Sequence, residues 1–277
     1  MKMYQVDAFT NQLFSGNPAA VLLLDEWLSD DLMQKIAFEN NLSETSFAKR
    51  RDEQNYEIRW FSPVKEVQFC GYGTLATSFI IFRENLKLEN IIFHVAALGQ
   101  FYVKKQVNGM IAMNFPAQIP QRIYDIPDLL VQALSQPIDV VYSNPQAYIV
   151  VYPSVAEILK EQPNFEKIKQ LGGRRVAITA KNDLFGKEFK NIDIVSRYFT
   201  PSMGVDEDPV TGSLHTSLIP LWQPILQKPI IHAYQASARG GVLSGKLLKN
   251  DRIEMVGQCK LFMQAELYLN ESRGNLA

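Results

Sequence analysis

Two acidic residues in this sequence are placed where they could move a proton. One is Glu44, in "NNLSETSF", between Ser43 and Thr45 just before or within a strand that is apolar at Phe47. If its carboxyl faces a cleft, partial burial raises its pKa, and the group can hold or release a proton near neutral pH. If it faces outward, it is an ordinary edge residue. The other is Asp208, in "EDPVTGSLHTSL" (Glu207–Leu218). Pro209 fixes the local backbone and disfavours helix at Asp208. That would hold the Asp208 carboxylate at the mouth of the helix that follows. The run Asp206, Glu207, Asp208 also allows a hard-cation site, although the spacing of a calcium loop is missing. A solvated charged turn is the third option.

The helix after Asp208 has a counterpart earlier in the chain. "GTLATSFI" begins at Gly73 and "GSLHTSLI" at Gly212; glycine, leucine, threonine, serine and isoleucine match in register. A helix start leaves backbone N–H groups without partners and carries partial positive charge. Glycine lets a ligand approach that backbone, and Thr or Ser adds a hydroxyl donor. Gly73, Thr74, Gly212 and Ser213 are therefore expected to cradle an anion, most simply a substrate carboxylate. The competing reading is plain capping, with Thr211 and Ser213 capping one helix and Thr74 the other. His215, one turn into the second helix, reads as a packed core histidine. His94 and His232 lie in strands.

The elements around these residues alternate like sheet. "MKMYQVDAF" and "AAVLLL" read as strands with the turn signal "SGNP" between them. "SDDLMQKIAFENN" reads as a helix capped by Ser29, with Asp30 and Asp31 at its positive end. "ETSFAKR" and "YEIRWF" are strands, "GTLATSFIIF" a buried helix, and "NIIFHVA", "QFYVKKQ" and "GMIAMNF" a three-stranded meander. The proline-bearing stretch 116–127 reads as a crossover. Beyond it come the helices "DLLVQALS" and "SVAEILKEQ", the strands "IDVVYS", "AYIVVY", "RRVAITA" and "IDIVSRYF", a helix at about Ser213–Trp222, and the closing strands "PIIHAYQA", "VLSGKLL", "DRIEMVG" and "KLFMQAELYL". The fold class is α+β. Two duplicated domains, residues 1–118 and 119–277, are expected to face one another across a cleft, with the last strand free to return to the first domain.

Composition narrows the function. With 277 residues and 47% hydrophobic content the chain can bury a sizeable core. A net charge of −1 with scattered Lys and Arg offers no footprint for nucleic acid. No apolar run approaches a membrane span, and the strand-like start lacks a signal-peptide layout. Cys70 and Cys259 are far apart and without metal-ligand spacing. A cytoplasmic, reduced protein with no metal site fits these features.

Taken in order, "VDAFT" (Val6–Thr10), "GNPAAV" (Gly16–Val21), "NLSETSF" (Asn41–Phe47), "IRWFSP" (Ile58–Pro63), "CGYGTLA" (Cys70–Ala76), "EDPVTGSLH" (Glu207–His215) and "SARGG" (Ser237–Gly241) resemble the phenazine-biosynthesis PhzF-like isomerase family. The similarity runs nearly end to end. It implies the diaminopimelate epimerase-like fold: two similar domains, each a strongly curved barrel-like sheet around a central helix, with the active site between them. It implies Glu44 as the acid–base residue, Asp208 facing it from the other domain, and glycine-rich helix starts binding an acidic substrate. The family's type member moves a proton between ring carbons of a dihydro-hydroxyanthranilate, with no metal or organic cofactor, and members commonly form homodimers. One position departs from the pattern. The family's histidine of "GHAT" is Tyr72 here, and tyrosine barely ionises at neutral pH; Tyr72 is expected to orient or polarise the substrate. The related epimerases use a cysteine from each domain. In the internal alignment Cys70 falls opposite Pro209, which disfavours a two-thiol mechanism.

The expected activity is a cofactor-independent isomerisation that shifts a proton on a small, cyclic, carboxylate-bearing substrate, with Glu44, Asp208 and Tyr72 as catalytic residues. Two alternatives stay open: an epimerase acting next to a carboxylate, and a drifted small-acid binding protein.

Overall fold

Strand β1 (Lys2–Ala8) pairs antiparallel with β2 (Asn17–Leu24), and every later strand extends that ladder. The computed structural model describes residues 1–96, 98–184 and 190–269. In the first half, β2 runs parallel to β3 (Thr45–Arg50), β3 antiparallel to β4 (Asn55–Phe61), β4 parallel to β6 (Asn90–Val95), and β6, β7 (Gly99–Lys105) and β8 (Ile111–Pro116) form the expected meander. A two-residue strand, β5 (Glu66–Val67), hangs on β4. The second half repeats this pattern step for step. β10 (Val140–Ser143) is antiparallel to β11 (Ala147–Val151), β11 parallel to β12 (Arg175–Lys181), and β12 antiparallel to β13 (Ile194–Phe199). β13 is parallel to β14 (Ile231–Gln235), and β14, β15 (Gly241–Leu247) and β16 (Arg252–Gly257) form a second meander. β8 and β16 pair antiparallel and join the halves.

The last strand of each half crosses over. β9 (Gln121–Ile123) pairs with β10, and β17 (Cys259–Glu266) pairs with β1. The ladder runs from β17 to β9 without closing, a large curved sheet in an α+β fold. The proline-bearing stretch 116–127 therefore contains a strand, which its prolines hid.

Parallel neighbours need crossover connections, and helices supply them. α1 (Asp30–Asn40) links β2 to β3; Ser29 caps it by accepting from the Leu32 N–H at 3.3 Å. α2 (Gly71–Glu84) lies between β4 and β6, and α6 (Gly212–Leu226) between β13 and β14. These two are the buried helices, packed within one cluster that holds Leu75, Ile80, Leu214 and Leu218. α3 (Asp128–Ala133), α4 (Val155–Lys160) and α5 (Phe165–Lys169) cover the second half over a separate core. α5 was not expected: it is only five residues long, too short to show a helical period.

α6 is longer than its sequence suggests, because it continues through Pro220 and Pro224. Each proline removes an N–H that would bond four residues back. The carbonyl of Thr216, left open by Pro220, instead accepts from the backbone N–H of Gln118 at 3.0 Å. A tertiary contact thus repairs the helix.

Candidate active site

The starts of α2 and α6 meet head to head. A Cβ built on Gly71 would lie 3.1 Å from the Gly212 Cα, and one built on Gly212 would lie 3.1 Å from the Gly71 Cα. Only glycine leaves room for such backbone contact. The reciprocal pair also corrects the register of the repeat. Gly71, not Gly73, is the partner of Gly212, so Cys70 takes the place of Thr211 and Tyr72 that of Ser213. Cys70 is not opposite Pro209. Helix start outweighs the sequence match because the helices begin at Gly71 and at Gly212, two residues apart in the alignment.

A cavity of about 640 Å³ opens at this junction. Glu44, Tyr72, Asp208, Gly212 and Ser213 all line it, together with Arg175. Gly73 and Thr74 are absent from its described lining, which is a correction. Gly73 packs against Ser46, Cys70 and Trp60. Thr74 is fully buried, and its hydroxyl donates to the Cys70 carbonyl at 2.7 Å. Nor do threonine or serine cap these helices as the plain capping reading had it. The Cys70 sulfur accepts from the Gly73 N–H at 3.3 Å, and Thr211 makes no cap hydrogen bond.

The Thr211 hydroxyl turns instead to Asp208, donating to Oδ2. Asn17, fully buried on β2, reaches across from the first half; its Nδ2 donates to Asp208 Oδ1 at 2.8 Å and to the Val210 carbonyl at 2.9 Å. Gln235 donates to the Asp208 carbonyl at 2.7 Å, and Ser237 to the Pro209 carbonyl at 2.7 Å. The loop that carries Asp208 is pinned at each residue from 208 to 211. The neighbouring Glu207 is spent elsewhere, in a two-bond ion pair with Arg197, each bond 2.9 Å. Burial pushes the Asp208 pKa up; hydrogen bonds from Thr211 and Asn17 and the charge of Arg175 pull it back, Glu207 raises it, and it rests at about 6.

Glu44 sits one residue ahead of β3, half-buried, and accepts a hydrogen bond from the Tyr72 hydroxyl. Burial and the nearby Asp208 charge push its pKa up to about 8, against the pull of Arg175.

Arg175 escaped the sequence reading, because "RRVAITA" reads only as a strand. His215 is buried off the cavity with Nδ1 2.7 Å from the Thr211 carbonyl, and burial lowers its pKa to about 4, so it stays neutral. Cys70 and Cys259 are free and buried, and burial raises both thiol pKa values. Several landmark motifs meet one another. Arg239 of "SARGG" pairs with Asp7 of "VDAFT" at 2.8 Å and donates to the carbonyl of Gly16, whose φ of 70° suits glycine.

Residues 6–265 match the family model for the phenazine biosynthesis-like protein, PhzC-PhzF. The chain belongs to this family. It is 39% identical to an uncharacterized isomerase of Pseudomonas aeruginosa over 97% of this chain and 99% of that one. It superposes with a TM-score of 0.88 on the crystal structure of a PhzF-family protein from Enterococcus faecalis, at 37% identity, covering 97% of this chain and 99% of that chain. A hydroxyproline epimerase from Agrobacterium vitis, solved with bound trans-4-hydroxy-L-proline, shares the fold alone, with a TM-score of 0.59 and 8% identity over 98% of this chain and 93% of that chain. The protein is an isomerase of the PhzF-like family. Among the described residues, no helix is long and apolar enough to cross a membrane.

Proposed function

We propose that the protein shifts a proton between carbons of a small, cyclic, carboxylate-bearing substrate held between its two halves, without a metal or organic cofactor. The observation that carries this reading is the pair of carboxyl groups that line one cavity, with pKa values of about 8 for Glu44 and about 6 for Asp208. Between those values the pair holds one proton, and Glu44 carries it.

Glu44 gives this proton to one ring carbon. Its carboxylate, now a base, takes a proton from a second carbon, and the electron pair of that C–H bond restores the ring's conjugation. One proton enters, one leaves, and no electrons are gained or lost. Asp208 stays ionised and steadies the positive charge that develops in the ring. Tyr72 holds the Glu44 carboxyl in place and, as a phenol, takes no part in proton exchange near neutral pH. The uncapped start of α6, with Gly212 and Ser213, offers N–H groups to a substrate anion.

Turnover of a cyclic dienyl acid in D₂O tests the reading. The wild type should place one solvent deuteron on the carbon that gains a proton, and Glu44→Gln should place none. Deuterium appearing only at the carbon that bears the carboxylate, with inversion there, would favour an epimerase. No deuterium anywhere would favour a small-acid binding protein.

A further inference from the structure

Three half-buried arginines of this protein hold carboxylates, and Arg175 does not. Arg59 pairs with Glu66 and Asp30, Arg197 with Glu207, and Arg239 with Asp7. Arg175 opens β12 on the cavity wall and forms no ion pair with any described residue. Its Nε is buried without a hydrogen-bond partner. Its Nη2 meets the Met203 sulfur at 3.4 Å, a weak acceptor. Its guanidinium also hydrogen-bonds to the hydroxyl of buried Tyr198, which accepts from Gln146 Nε2 at 3.1 Å and helps to hold the fork in place.

A guanidinium on a cavity wall with no carboxylate partner and only weak or neutral acceptors suits a planar anion. The cavity also needs one. An acidic substrate entering beside ionised Asp208 meets like charge, and the cavity must offset it. Lys65, also on the wall, is exposed, so water and salt screen its charge. We propose that Arg175 is the specificity-determining residue that reads the substrate's acid group: a carboxylate of the substrate accepts from the Nη groups of the fork, and an organic acid is thereby selected over its neutral amide. This assignment rests on the proposed isomerisation only in sharing its cavity.

The experiment is calorimetric binding of anthranilate and of its amide, anthranilamide, at pH 7. The wild type should prefer the acid by roughly tenfold or more, as expected for a charge-assisted fork. Glu44→Gln should keep that preference. Arg175→Gln should lose it, binding acid and amide within about twofold, with an unchanged circular dichroism spectrum, and Arg175→Lys should retain part of it. A wild type without preference, or a folded Arg175→Gln with the preference intact, would overturn the proposal. If Arg175→Gln does not fold, phenylglyoxal modification of the wild type decides. Anthranilate should protect Arg175 and anthranilamide should not; equal protection by both overturns it. A wild type that selects the acid yet incorporates no deuterium supports Arg175 and removes the isomerase reading.

Discussion

The starts of α2 and α6 are the same device used twice, but the carboxyl groups beside them keep different company. Glu44 receives a side-chain hydrogen bond from Tyr72. Asp208 receives two, from Asn17 and Thr211, on a loop further held by Gln235 and Ser237. Both groups suffer burial, which favours the neutral form, and hydrogen bonds to the charged form oppose it. The better-served acid therefore rests at about 6, and the other, pushed further by the Asp208 charge, at about 8. A duplicated scaffold thus yields one acid and one carboxylate at pH 7, and the asymmetry lies in the donors and the neighbouring charge rather than in the helices.

The largest expected effect comes from removing the protonated member. Glu44→Gln should lower turnover by roughly 10²–10⁴-fold, the usual worth of a positioned acid–base group. It should also stabilise the fold at high pH. The folded pKa of Glu44, about 8, lies above its ordinary 4.5. The stability tied to its neutral form is thus fully present below pH 4.5 and is lost as pH rises through 8. Melting temperatures of wild type and Glu44→Gln should be close at pH 4.5 and separate by pH 9, with the variant higher. A gap that does not widen with pH would contradict the buried, proton-bearing carboxyl.

The wild-type rate should follow a bell, rising as Asp208 ionises near pH 6 and falling as Glu44 ionises near pH 8. Asn17→Ala should narrow that bell from the acid side. A hydrogen bond to a charged group is worth about 1.5–3 kcal/mol, which is roughly 1–2 pKa units. The acid limb should move up by that amount while the alkaline limb stays. An unmoved acid limb would mean that the donors do not set the asymmetry.

Gly71→Ala acts on the shared part. Its methyl group meets the Gly212 backbone at 3.1 Å, and backbone cannot step aside as a side chain can. We expect a loss of about 1–3 kcal/mol in stability, as for other overpacked sites, measured by denaturant unfolding. The smallest effect belongs to Tyr72→Phe, which removes one neutral donor worth about 0.5–1.5 kcal/mol; turnover should fall by roughly two- to tenfold, with the acid limb unmoved and the alkaline limb shifted upward as Glu44 loses its side-chain donor. A thousandfold fall would give Tyr72 a part in proton transfer itself.

Much of this was legible in the chain, for identifiable reasons. Glu44 and Asp208 stand in motifs whose local chemistry is unusual. The α1 cap at Ser29 is written in a few adjacent residues. What stayed hidden depends on distant partners. Asn17 read as part of a turn, yet it begins β2 and holds Asp208 from 191 positions away. Arg175 read only as part of a strand, and its lack of a carboxylate becomes visible only when its surroundings are assembled. The repeat slipped by two residues because the matching letters follow core packing along the helices, whereas the cavity is set by where each helix begins. The end of α6 was misjudged because its prolines are compensated by a distant segment.

That compensation has a consequence for how the molecule breathes. The Gln118 amide belongs to a coil between β8 and β9, where N–H groups ordinarily trade their hydrogens with water freely. Here it is locked onto the middle of a central helix, at the carbonyl beneath Pro220. Its exchange should therefore keep pace with the slow amides of the core. Because Gln118 also lines the cavity, that single slow amide is a built-in clock: its exchange rate records how often the central helix and the crossing segment part company.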